Sequence, residues 1–304
     1  MRIGLPRALL YYKYYVFVQT FFEALGAQVV VSPRTNKQIH AAGLKTCVDE
    51  ACLPIKVFHG HAQWLARRCD FILIPRILGK KNARLACPMI CGLKEMAVNS
   101  VHGLPPVIEE PVLCFDERTL YKWARNAGRF AGANRIDSAF YAAVQKQKAY
   151  NPAINQRGCP YTIALIGHMY NIEDSFVNHN LIKKLNALGM GIITAECVSA
   201  EHIEAEAARL FKRPFWYFAR QYYGSAAHIA RNKLADGIIY VSAFCCGVDS
   251  VVVEMIKSAL EGFPFMVLKI DEHTGEAGFD TRIEAFADMI KRRAAFGNNI
   301  SAYG

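Results

Sequence analysis

The chain begins its pattern of strands and helices a second time about halfway along. Gly4 lies near the end of a first short strand-like run (Arg2-Ile3-Gly4-Leu5) and Gly167 follows another (Thr162–Ile166). Ala24-Leu25-Gly26 ends one helical stretch and Ala187-Leu188-Gly189 ends another, and both pairs stand 163 positions apart. Asp70-Phe71-Ile72-Leu73-Ile74 matches Asp236-Gly237-Ile238-Ile239-Tyr240 at an offset of 166. A unit that repeats strand–helix–strand–helix–strand fits a parallel sheet covered by helices, because parallel strands need crossover connections. The pattern therefore predicts an α/β chain of two Rossmann-like lobes with parallel sheets flanked by helices. The lobes are residues 1–150 and 151–304, joined by a linker near Tyr150–Pro160. A length of 304 residues agrees with two cores rather than one.

In the first lobe, strands are expected at Met1–Leu5, Gln28–Val31, Phe71–Ile74 and Val107–Ile108. Helices are expected at Leu9–Leu25, Thr35–Ala42, Pro54–Arg68, Asp116–Gly132 and Asp137–Lys148. In the second, strands are expected at Thr162–Ile166, Gly191–Thr194, Gly237–Ser242 and Phe265–Ile270. Its helices are expected at Asp174–Leu188, Ala200–Phe211, Phe215–Leu234, Asp249–Leu260 and Thr281–Ala295. The aromatic stripe from Tyr11 to Phe22 reads as core and lobe interface.

Composition narrows the class. Hydrophobic residues make up 53% and charged residues 20%, which excludes a largely disordered chain. Apolar runs such as FILIP are strand-sized, so no membrane helix is expected, and the N-terminus lacks a signal-peptide layout. A cytoplasmic protein is the expectation. The net charge is +10, but its basic groups are short and dispersed, and no nucleic-acid motif accompanies them. The basic surface suits an acidic partner instead.

Ten cysteines carry the chemistry. Six fall into three close pairs: Cys47 with Cys52, Cys87 with Cys91, and Cys245 with Cys246. In a reducing compartment such clusters bind metal or do redox work. Cys245 and Cys246 lie between an expected strand and helix, where open α/β sheets bind ligands. Cys52 stands before Leu53-Pro54, and proline suits a first helical turn, so it too reads as a helix-start cysteine; Cys87 stands before Pro88 in a loop beyond the strand Phe71–Ile74. The C-x4-C, C-x3-C and CC spacings do not match zinc knuckles. Adjacent thiols suit two neighbouring metal centres, and two iron–sulfur cubanes with three thiolates each would use all six. Buried small hydrophobes and a Cys87/Cys91 thiol–disulfide pair are the competing readings.

Four motifs, RIGLPRALLYYKYY, VDEACLPIKVFHGH, CCGVDS and IDEHTGEAGFDTRIEAF, together resemble the 2-hydroxyacyl-CoA dehydratase and benzoyl-CoA reductase family. The branch they resemble most is the cysteine-rich domain of the large activase-related proteins. The resemblance implies an iron–sulfur cluster in the cleft between two Rossmann-like lobes. It places Cys52, Cys87 and Cys246 on the three-cysteine pattern that holds a [4Fe-4S] cluster in the dehydratases. The extra cysteines Cys47, Cys91 and Cys245 favour the family's double-cubane [8Fe-9S] type, with a single [4Fe-4S] cluster as the alternative. It further implies a separate ATP-hydrolysing [4Fe-4S] activator protein, a small-molecule substrate and a homodimer. This chain has no phosphate-loop motif and no recognisable CoA signature, so the ATPase is expected elsewhere and an acyl-CoA substrate is not assigned.

Around the cysteines, Glu50, Lys56, His59 and His61 are candidates for tuning a cluster or moving protons, against an exposed loop and helix face. The run Asp271–Glu276 follows an expected strand. It offers His273 or Glu276 as proton donor, against a capping role for this stretch or for Asp280 and Thr281. The expected catalytic residues are thus Glu50, His273 and Glu276. Gly167-His168-Met169-Tyr170 reads as structure. The reading that follows is a low-potential reductase component. A non-catalytic electron carrier or cluster-delivery protein and a cluster-free regulator are the alternatives.

Overall fold

A computed structural model describes residues 1–74, 76–79, 86–108, 111–113, 117–131, 134–156 and 158–296. The chain divides into two compact units, Met1–Pro152 with Phe215–Tyr217, and Ala153–Pro214 with the chain from Phe218 onward.

In the first unit the elements run β1 (Arg2–Leu5), α1 (Tyr11–Ala24), β2 (Gln28–Val31), α2 (Lys37–Thr46), α3 (Leu53–Leu65) and β3 (Phe71–Leu73). There follow β4 (Arg76–Gly79), α4 (Pro88–Cys91), α5 (Leu93–Ser100), β5 (Val107–Ile108), β6 (Pro111–Leu113), α6 (Glu117–Ala127) and α7 (Ile136–Ala149). The second unit holds β7 (Tyr161–Gly167), α8 (Met169–Glu173), α9 (Leu181–Ala187), β8 (Met190–Thr194), α10 (Ala200–Ala208) and most of α11 (Tyr217–Arg231). It ends with β9 (Gly237–Ala243), α12 (Gly247–Ala259), β10 (Phe265–Ile270) and α13 (Glu276–Phe296).

Each unit is built on a four-stranded sheet, and both sheets are parallel throughout. The strand orders are β2-β1-β3-β5 and β8-β7-β9-β10. Numbered within its own sheet, each reads 2-1-3-4, so the sequence repeat is a repeat of topology. The glycines that marked it close their helices in the same way. Gly26 (φ +81°) and Gly189 (φ +80°) follow the last turns of α1 and α9 in the left-handed conformation that glycine adopts without strain.

Burial explains the strand composition. β8 and β9 are buried along their whole length, as are the last five residues of β7. A parallel sheet covered on both faces requires such continuous apolar runs. In the first unit, Phe17, Phe21 and Phe22 of α1 pack on Trp123 of α6, and Phe17 also meets Phe140 of α7, with centroids 5.8–6.1 Å apart.

The expected course of the elements differs from the structure in two places here, besides the earlier start of α13. The single helix expected over Asp174–Leu188 is broken. Asp174 Oδ1 accepts from the N–H groups of Phe176 and Val177, and His179 and Asn180 are left-handed (φ +50° and +60°). Short polar side chains divert backbone groups from the helix there, so α8 ends at Glu173 and α9 starts at Leu181. The separate parallel pair β4–β6 and the short helices α4 and α5 were not expected at all. Cys114, the start of the helix expected at Asp116 and its end at Gly132 lie outside the described residues. Among the described residues, no helix is long and apolar enough to cross a membrane.

Candidate functional site

In each sheet the strand order reverses beside its first strand, between β1 and β3 and between β7 and β9. Loops leaving the carboxyl ends of such strands diverge and open a crevice, where α/β proteins hold ligands. The paired cysteines sit on segments that follow strands in the chain.

The first pair lies in the turn of a helical hairpin. Cys47 is the C-cap of α2 and Cys52 the N-cap of α3. The two helices touch backbone to backbone. A Cβ on Gly43 would stand 2.0 Å from the Lys56 carbonyl oxygen, and one on Gly60 would stand 2.0 Å from that of Ile39. Only glycine permits this approach, and it fixes the turn that carries both thiols. Burial raises the pKa of Cys47, while the Val48 N–H and the Lys56 ammonium pull it down.

Cys87 is the N-cap of α4 and Cys91 its last residue, with Cys91 Sγ 3.8 Å from the Ala86 carbonyl oxygen. In the second unit Cys246 is the N-cap of α12, and its N–H donates to the Ala243 carbonyl. Cys245 before it is exposed and left-handed (φ +64°).

Cys52, Cys87 and Cys246 thus share one local setting. Each is a helix N-cap, and none makes a side-chain cap hydrogen bond. N-cap positions favour Ser, Thr, Asp and Asn, whose oxygens accept from first-turn N–H groups. A thiol there is a weak cap but, once ionised, faces those same donors and the positive end of the helix. The companions Cys47, Cys91 and Cys245 occupy three different settings. Among the described residues, no three His, Cys, Asp or Glu side chains are grouped to hold a metal ion. Of the scattered cysteines, Cys69 and Cys197 hydrogen-bond to the Leu65 and Ile154 carbonyls, and Cys159 is exposed.

Glu50 lies exposed in the turn between the first two thiols. Lys56, His59 and His61 are instead buried, which corrects the exposed-helix-face alternative. His59 Nδ1 donates to the Ile55 carbonyl at 2.8 Å, and burial lowers its pKa. His61 is held on both sides, Nδ1 2.9 Å from Ser32 Oγ and Nε2 3.0 Å from Thr35 Oγ1. Burial and the Arg7 charge push its pKa down to about 3, so the ring is neutral at pH 7.

The polar run after β10 folds on itself. Asp271 Oδ1 accepts from the His273 N–H (2.8 Å) and from the Thr274 hydroxyl (2.9 Å). His273 is exposed. Glu276 opens α13 and pairs with Lys184 Nζ at 2.7 Å, which Asp280 also holds. The helix starts five residues before the expected Thr281, so Asp280 and Thr281 are not its caps.

Behind Cys246 lies a buried network that the sequence reading treated as structure. Asp249, three residues into α12, accepts from the Tyr240 hydroxyl at 2.9 Å and stands 3.7 Å from His168 Nε2. His168 Nδ1 lies 3.0 Å from the Tyr222 hydroxyl. Burial lowers the His168 pKa while Asp249 raises it, and burial with Asp249 raises that of Tyr240. The available signals were a polar Gly-His step ending an apolar strand and an Asp three residues after the cysteine pair.

Comparison with known families adds two findings. A family model described as CoA enzyme activase uncharacterised domain (DUF2229) matches residues 2–198. The chain belongs to that family. A second model, 2-hydroxyglutaryl-CoA dehydratase, D-component, matches residues 143–290. Together the matches support the 2-hydroxyacyl-CoA dehydratase family, and they span both units. No curated protein matches the chain.

Proposed function

We propose that the chain is the iron–sulfur component of a dehydratase-related, low-potential reductase system. The observation that carries this reading is the shared helix N-cap position of Cys52, Cys87 and Cys246. The donor set fits such a group: soft thiolates, each beside first-turn N–H groups that stabilise a thiolate-bound anionic centre. When bound, a cluster would supply one-electron chemistry at low potential.

In the fuller form of the proposal all six paired cysteines hold an [8Fe-9S] double cubane. The three unlike settings of Cys47, Cys91 and Cys245 favour a second form, in which the three N-cap thiols hold a single [4Fe-4S] cluster. In both, electrons come from a separate ATP-hydrolysing activator that docks on the basic surface, and a small molecule is reduced. The buried Lys56 ammonium beside Cys47 offsets negative charge at the first pair. Proton delivery falls to the exposed Glu50 and His273, and to Glu276 when its pairing with Lys184 opens.

The test is iron and acid-labile sulfide per chain on anaerobically purified protein, with an EPR spectrum. About eight irons support the double cubane and about four the single cubane. Cys47→Ala, Cys91→Ala and Cys245→Ala that leave iron content unchanged defeat the six-thiolate form. Negligible iron after reconstitution overturns both forms.

A further inference from the structure

The first turn of α12 is tied down from inside the second unit. Asp249, three residues after Cys246, is 1% exposed and turns its carboxylate inward rather than toward water. Oδ1 accepts from the Tyr240 hydroxyl of β9 at 2.9 Å and stands 3.7 Å from Nε2 of His168, which follows β7. Oδ2 is buried with no hydrogen-bond partner among the described residues. His168 is itself clamped. Tyr170 stacks on its ring at 4.7 Å, Phe218 meets it edge-on at 5.2 Å, and the Tyr222 hydroxyl reaches Nδ1. Cys246 lies close enough for its charge to act on the Tyr240 hydroxyl.

Fold stability alone does not account for a carboxylate in that place. Burying one costs free energy that its partners must return, and with one oxygen unmet they return less. Well-packed apolar residues of similar volume commonly do as well or better. An acid in a first turn also gains from the helix dipole when it faces solvent. What the inward position adds is a fixed link from the sheet edge to the turn that begins at Cys246. It also adds a carboxylate within one helical turn of that cysteine.

We infer that Asp249 is the positioning residue of Cys246, tethering it through Tyr240 to the β7/β9 edge and holding a carboxylate beside it. Reading that thiol as a cluster ligand rests on the proposed function; the tether does not.

The test uses two variants of the anaerobically purified full chain. Tyr240→Phe removes the donor of the tether. Asp249→Asn keeps an acceptor for Tyr240 and removes the charge. Hydrogen exchange read by mass spectrometry should quicken about two- to tenfold over residues 247–250 in Tyr240→Phe, the worth of one hydrogen bond, and stay unchanged over β8 and β10. In iron-loaded Asp249→Asn, an EPR-monitored titration should give a less negative reduction potential, because a nearby carboxylate opposes an added electron. A residue that only supports the fold would change exchange across the whole unit and leave the potential alone. Circular dichroism confirms folding, and Asp249→Ala replaces Tyr240→Phe in the exchange measurement if the latter does not fold. Unchanged exchange over residues 247–250, an equal rise over β8 and β10, or an unchanged potential in iron-loaded Asp249→Asn overturns the inference. Iron measured on the same samples separates the two claims: the local rise without iron removes the cluster reading alone, and iron without the local rise removes this one.

Discussion

The two sheets share a strand order, yet their carboxyl edges are built from opposite materials. At the β1/β3 edge the chain leaves an apolar cavity lined by Leu5 and Leu73, with a neutral histidine held between two hydroxyls nearby. At the β7/β9 edge it packs a buried histidine, aspartate and two tyrosines beneath a cysteine-capped helix. The topology settles where a crevice forms, and the residues just after each strand settle its chemistry. Gly4 in β1 and Gly167 at the end of β7, 163 positions apart in the sequence, show the difference on a single atom. A Cβ on Gly4 would stand 2.5 Å from Cys69 Sγ, a side-chain atom. A Cβ on Gly167 would stand 2.4 Å from the Val241 carbonyl oxygen, in a strand that cannot yield, and Gly167 has φ +138°.

That contrast gives the largest expected effect. Gly167→Ala combines backbone strain with a backbone clash and should cost about 3–5 kcal/mol. Gly4→Ala meets only a side chain and should cost about 1–2 kcal/mol. Denaturant unfolding at constant m-value measures both. Equal losses would mean the two glycines serve one purpose, and the comparison would fail at its first step.

The buried polar groups come next. Asp249→Ala leaves the fully buried Tyr240 hydroxyl without its acceptor, at a cost of about 2–3 kcal/mol. Thr35→Val removes one of two hydroxyls from His61, at a cost of about 1–2 kcal/mol. A neutral Asp249→Ala, read by the same unfolding measurement, would remove that carboxylate from the network.

Falling pH should weaken the first unit through His61, and rising pH should weaken the second through Glu173. His61 sits at about pKa 3 in the folded chain against 6.5 unfolded. Between those values only the unfolded state binds the proton, so stability falls as pH drops, by at most about 1.4 kcal/mol per unit. In the second unit, burial and the nearby Glu196 carboxylate push Glu173 up to about 7 from 4.5. There the folded state holds the proton, so stability falls as pH rises through that window, by less than the same slope because Glu173 is only half-buried. His61→Gln should flatten the acid limb, and Glu173→Gln the neutral one, in thermal unfolding followed from pH 4 to 8. Buried His168, also shifted down, adds an acid limb to the second unit that Glu173→Gln leaves in place.

Much of this fold was legible in the sequence, because fully covered parallel strands must be apolar along their length and two of the helices, α1 and α9, stop at a left-handed glycine. Residues such as Ile238-Ile239 and Gly189 announce both. The helical hairpin notch was not legible, since Gly43 and Gly60 acquire meaning only when α2 and α3 are laid against each other. The helix-start position of Cys52 could be read from the proline that follows it, whereas Cys87, read as lying in a loop, caps the short helix α4. The burial of Lys56, His59 and His61 could not, because polar residues on a helix read as a solvated face until the packing on every side is known. Asp249 was hidden for the same reason: it pairs with Tyr240 of β9 and with His168 just after β7, and His168 in turn meets Tyr222 of α11, so the network joins segments far apart in the chain.

The smallest expected effects concern the charged pairs of the two units. Lys184 bridges α9 to α13 through Glu276 and Asp280 and is 23% exposed, whereas Lys148, paired with Glu117, is 62% exposed. Water and side-chain entropy cancel most of an exposed pair, and less of one that is partly covered and holds two carboxylates. Lys184→Ala should therefore cost about 0.5–1 kcal/mol, most of it lost in 1 M salt, and Lys148→Ala about 0–0.3 kcal/mol. The Lys184 result also bears on chemistry. If Lys184→Ala lowers stability by that amount and leaves iron content and reduction rate alone, Glu276 is a strut between helices. If it changes the pH dependence of reduction while stability stays put, the lysine is holding back a proton donor, and Glu276 belongs with the residues of the site.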